Sequence, residues 1–212
     1  METKETFKNL LNQYFSRITY VNDCFMLYKH ITETKSTNIA EMNIAPAFFQ
    51  LILSSLLHTV FIETANLFDM NSSKSLFRLI NICRDNSSIF NTKKNSNDIN
   101  CTDEYNVEKI STINVEKILN DCSFLLKNVS RELENLINQG NKFYAYLDEL
   151  YKDNNEKLEK DFCITYGDIE KLFQISSKVC NKISIAFDES IHSVQSSNIF
   201  DIDKVFNRLQ NL

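Results

Sequence analysis

The stretch Gln139-Gly140-Asn141-Lys142-Phe143-Tyr144-Ala145-Tyr146-Leu147-Asp148 gathers polar, cationic and aromatic side chains just past a long amphipathic run. Asn141 and Asp148 offer hydrogen bonds, Lys142 offers one positive charge, and Tyr144 and Tyr146 offer rings on which splayed bases can stack. That is a chemistry for holding RNA. Cutting RNA asks for more: a group that exchanges protons near neutral pH and a cation that stabilises charge developing at phosphorus. Tyr146, with an unperturbed pKa near 10, is a poor base at pH 7. Gly140 contributes only backbone. The stretch also reads as one helix turn with Phe143 and Tyr146 packed into a core or a dimer interface, and both readings stand at this point.

The rest of the chain does not supply a conventional catalytic set. Its three histidines, His30, His58 and His192, are dispersed. Its six cysteines, Cys24, Cys83, Cys101, Cys122, Cys163 and Cys180, form no C-x-x-C pair, so free thiols in a reducing, cytoplasmic setting are expected and no metal or cofactor is. No secretory leader is read at the polar N-terminus. With 23 basic and 28 acidic side chains the net charge is -5, which excludes a global positive field for nucleic acid and confines any RNA contact to a local patch. An active site relocated within this chain would draw on Lys142, Tyr146, Asp148 and His58.

These groups must be positioned by helices. Two Gly and one Pro in 212 residues argue against sandwiches, barrels and glycine-rich phosphate loops, and the fold expected is an all-α, up-and-down bundle of about five to six helices in a single domain over 1–212. Phe7, Leu11, Tyr14, Ile18, Val21, Phe25 and Tyr28 recur at steps of three and four, predicting a helix over about 4–33. Ile44 to Phe68 is apolar on most faces and reads as the central helix, with Pro46 in its first turn. Its length approaches a bilayer span, but Gln50, Ser54, Ser55, His58, Thr59 and Glu63 interrupt it, so no membrane is expected. A short helix follows over 73–84, then an Asn-, Ser- and Lys-rich mobile loop at about 86–103. The fourth helix is predicted as one unit from 107 or 113 to 138, the fifth from a capping box at Thr165 and Asp168 through Phe187, and the last over about 201–209.

The frame from Gly140 to Asp148 resembles the signature of the HEPN superfamily, R-N/D-K-x-x-A-H-x-D. Asn141, Lys142, Ala145 and Asp148 match it; Gly140 stands at the arginine position and Tyr146 at the histidine position. Three further points resemble the AbiU-like abortive-infection branch: Phe48-Phe49 at the start of the long helix; Asn66-Leu67-Phe68-Asp69 followed by Ser75-Leu76, with Asn66 in place of an arginine; and Thr165-Tyr166-Gly167-Asp168-Ile169. The resemblance implies a HEPN-like helical bundle and a homodimer that brings two motif copies to one cleft for metal-independent RNA cleavage. It also implies a place in a phage-defence or toxin–antitoxin system. With the arginine and histidine replaced, it implies a binding or regulatory component, with RNA and a cognate protein as partner classes. Gly140, Asn141, Lys142, Tyr146 and Asp148 would then be RNA-contacting residues, supported by Asn66 and Asp69. The alternatives are an active metal-independent ribonuclease with a non-standard site and a non-enzymatic helical interaction module.

Overall fold

The computed structural model describes residues 3–90, 114–145, 164–194, 196 and 199–211; from Gln139 to Ala145 the description is of backbone only. Among the described residues there are eight α-helices and no strands, so the all-α bundle is what the chain forms.

Helix α1, Lys4–Glu33, starts where Thr3 Oγ1 accepts the Thr6 N–H at 3.1 Å. It buries the predicted stripe of Phe7, Leu11, Tyr14, Ile18, Val21 and Phe25. After a short α2, Ile39–Met42, helix α3 runs over Pro46–Phe68 with Pro46 in its first turn, where the missing N–H costs little. It lies antiparallel to α1: Arg17 Nε donates to Glu63 Oε2 at 2.6 Å, and Tyr14, one turn earlier, donates its hydroxyl to the Ser75 carbonyl at 2.9 Å, just beyond the end of α3. Ser75 is also the N-cap of α4, Leu76–Asp85, accepting the Arg78 N–H at 3.2 Å.

The fourth predicted helix is two helices. Helix α5, Val115–Lys127, stops at Asn128, and α6, Ser130–Ala145, begins after the buried Val129. Residues 107–113 lie outside the described part. Helix α7, Tyr166–Asp188, has the predicted capping box: Asp168 N–H donates to Thr165 Oγ1 at 3.1 Å and Thr165 N–H donates to Asp168 Oδ2 at 2.9 Å. It runs antiparallel to α1, with Phe7 against Phe187 at 4.8 Å and Phe25 against Phe173 at 5.8 Å between ring centroids. Helix α8, Asp201–Leu209, inserts Phe206 beside Phe49, Ile31 and Met42, closing a small second core where α1 turns into α3.

The loop expected at 86–103 begins differently. Ser87–Ile89 is a 3₁₀ turn, and Ile89 and Phe90 are buried, Phe90 against Phe7 at 5.7 Å. Two adjacent apolar side chains with a core to enter outweigh the polar composition around them. Residues 91–103 lie outside the described part.

Candidate functional site

Helix α6 carries the first part of the Gly140–Asp148 frame. It packs on α3 and α7, with Leu136 fully buried and Glu132 paired with Lys171. The expectation that the run ends at Asn138 is corrected, because the helix continues through Ala145 and takes in Gly140, Asn141 and Lys142. The helix formers Leu136, Gln139, Lys142 and Ala145 around Gly140 outweigh the one glycine, which costs about 1 kcal/mol in a helix interior. The side chains of Gly140, Asn141 and Lys142, and Tyr146 and Asp148 altogether, lie outside the described residues.

Asn66 and Asp69 occupy the far end of α3. Asp69 ends that helix: its N–H donates to the Ala65 carbonyl at 2.9 Å and its Oδ1 accepts the Asn71 N–H at 2.9 Å. This is a capping role, the turn chemistry in which Asp excels. Asn66 is half-buried one turn earlier. Among the described residues no hydrogen bond or ion pair joins either of them to α6. Glu132, near the start of α6, meets Lys171 at the level where Lys29 of α1 pairs with Glu170, whereas Asn66 lies near the level of Arg17 and Glu63. His58 is exposed on the solvent side of α3.

Other chemistry-bearing groups went unnoticed in the sequence. Past α7, whose C-cap Glu189 adopts a left-handed backbone with φ 64°, the chain folds back along α1. There His192 stacks on Phe15 with ring centroids 4.1 Å apart, and Asn181 exchanges hydrogen bonds with the backbone of His192 at 2.8 and 2.9 Å. Asp188, Ser190 and His192 form a chain, but in an order unlike a nucleophilic triad. Ser190 directs its hydroxyl to Asp188 and stands 3.3 Å from His192 Nε2, so its one proton is already committed to the carboxylate. The arrangement closes the end of α7. Beside it a cavity of about 480 Å³ is lined by Asn12, Ser16, Tyr20, Asp23 and His192. At the opposite end of α1, His30 Nε2 lies 2.7 Å from Asp203 of α8.

The thiols are inert by environment. Cys83, Cys122 and Cys180 are fully buried, and burial pushes the first two up to about 12 and about 11, and Cys180 higher still. Burial likewise pushes the Tyr14 hydroxyl up to about 12, so it keeps the proton that it donates to the Ser75 carbonyl. No group of three or more His, Cys, Asp or Glu among the described residues is placed to hold a metal ion. Glu41 is the one buried charged side chain among them, and its Oε2 has no hydrogen-bond partner there.

An all-helical bundle in which α6, carrying the first part of the Gly140–Asp148 frame, packs on the long apolar α3 fits a HEPN-like fold. A family model described as AbiU2, HEPN_AbiU2, matches residues 2–205, so nearly the whole described length is covered. The chain belongs to the HEPN AbiU2 family. No curated protein and no solved structure matches it significantly.

Proposed function

We propose that this abortive-infection-type HEPN protein has lost cleavage at the Gly140–Asp148 frame and acts by binding, as a regulatory component of a phage-defence or toxin–antitoxin system. One observation carries the reading: the frame has glycine and tyrosine where the family signature has its cation and its proton-transfer group. Losing a general base and a charge clamp typically costs about 10²-fold or more apiece. What remains, Asn141, Lys142, Tyr144 and Tyr146, suits RNA held by hydrogen bonds, one charge and stacking. The protein works as a homodimer in the cytoplasm, and a cognate protein is its second class of partner.

Restoring the two groups tests this. Wild type should show no metal-independent RNA cleavage, whereas Gly140→Arg with Tyr146→His should gain it, and each single change should gain far less because the pair acts as a unit. RNA cleavage by wild type that survives Tyr146→Phe would place the activity elsewhere. A folded, dimeric and inert double variant would leave the frame as scaffold and favour the helical interaction module.

A further inference from the structure

The outer face of α3 exposes large apolar side chains at regular spacing, with Ser55 and His58 among them. Ile44, Phe48, Leu51, Ser55, His58 and Ile62 follow at steps of four, three, four, three and four, and all six are exposed; Phe48 is 57%, Leu51 66% and Ile62 45% accessible. Such steps trace one straight seam along a helix. The seam begins at Ile44, just ahead of Pro46. Glu63 is the only formally charged side chain in the helix, and it is turned inward to Arg17. A solvent-facing helix surface is normally its polar side, so an apolar seam of this length marks a contact.

We propose that this seam is where a second copy of the chain docks, with the two α3 helices antiparallel about a two-fold axis. The step pattern reads the same from either end, which is what an isologous interface demands. In that register Leu51 faces Ser55 of the partner subunit, Phe48 faces His58 of the partner subunit, and Ile44 faces Ile62 of the partner subunit. Large meets small at the centre, where Ser54 and Ser55 let the helices approach to the roughly 8–10 Å of close helix pairs. Ile39 ahead of the helix and Met70 beyond it are exposed as well. Because α6 packs on α3, pairing here would draw both copies of the Gly140 frame into one assembly. The inference takes from the proposed function only that two chains pair, and adds the surface and the register.

The α3 helix is also long and apolar enough, by length and composition, to cross a membrane, so the test carries a lipid arm. Mass in solution at micromolar concentration should be that of two chains. Leu51→Glu, at an exposed site, should keep the helical content and thermal midpoint of a folded protein yet weaken the dimer about 100-fold, since symmetry buries the change twice. With Cys101 and Cys163 changed to Ser, oxidising a mixture of Leu51→Cys and Ser55→Cys proteins should give a covalent dimer, while either alone gives little. A dimer that survives Leu51→Glu overturns the surface while leaving pairing intact. Cross-linking of each single variant with itself overturns the antiparallel register. A wild-type monomer overturns both pairing and surface. Wild-type binding to phosphatidylcholine–phosphatidylglycerol vesicles that is lost in Leu51→Glu makes lipid the occupant and overturns the proposal.

Discussion

Helices α1 and α3 lie side by side, similar in length and antiparallel, yet their outer faces differ in kind. Beyond the buried stripe of α1 come Lys8, Asn9, Asn12, Gln13 and Ser16, all exposed, as water requires. Beyond the buried Phe49, Val60, Phe61, Leu67 and Phe68 of α3 come Phe48, Leu51 and Ile62. One helix is finished by solvent and the other is not. Burial within one chain therefore accounts for the apolar stripe of α1, where Tyr20 is the one large apolar residue left exposed, and does not account for Phe48, Leu51 and Ile62 of α3. The surplus apolar surface is the kind of feature from which an interaction is read.

The sharpest break of this comparison sets an inner residue against an outer one. Phe25→Ala, at a fully buried ring touching Phe173, should destabilise the fold by about 3–5 kcal/mol in urea unfolding. Leu51→Ala should cost the isolated chain no more than about 0.5 kcal/mol. Comparable losses would mean that the outer face of α3 is core after all. Next in size is Tyr14→Phe, which removes one tie between α1 and the end of α3 but leaves the buried Ser75 carbonyl its second donor, the Leu79 N–H at 3.1 Å. A loss of about 1 kcal/mol in urea unfolding is expected.

The smallest effect concerns α7. The Thr165 backbone N–H holds the Asp168 carboxyl below the usual aspartate range. A carboxyl depressed in the folded state adds stability above its unfolded value, near pH 4, and that gain fades as the pH falls through the folded value. Wild type should therefore exceed Asp168→Asn by about 0.5 kcal/mol at pH 7, a figure kept small by solvent screening. The difference should vanish near pH 2. A pH-independent gap in thermal midpoints would remove the electrostatic part of the cap.

Much of this fold was legible because helix periodicity and capping are local. The stripe from Phe7 to Phe25, Pro46 in the first turn of α3, and the Thr165–Asp168 box each place a boundary from a few neighbouring residues. What was missed depends on partners distant in sequence. The break at Asn128–Val129 lies inside an unbroken amphipathic pattern, and Val129 is inside only because other helices enclose it. Ile89 and Phe90 looked like stray apolar residues in a polar stretch until Phe7 and Phe187 received them. The candidate site was legible as residue types and as a family frame. Of the supporting pair, Asp69 has a local turn to cap, while the frame side chains it would support lie outside the described residues. His192 carried no sequence signal at all, since its partners Phe15 and Asn181 come from two other elements.

Bonds that tie α1 to the far part of the chain set an order in time. Asn22 bonds Ser196, Lys29 pairs with Glu170, and His30 meets Asp203, so α1 is completed by partners more than a hundred residues downstream. At roughly 5–20 residues per second of synthesis, about 7–27 s pass between the appearance of Glu33 and that of Tyr166. Throughout that interval the stripe of Phe7, Phe25 and their neighbours has α3 for company but not α7. The newborn hairpin spends that interval with the face that α7 later covers still bare to water.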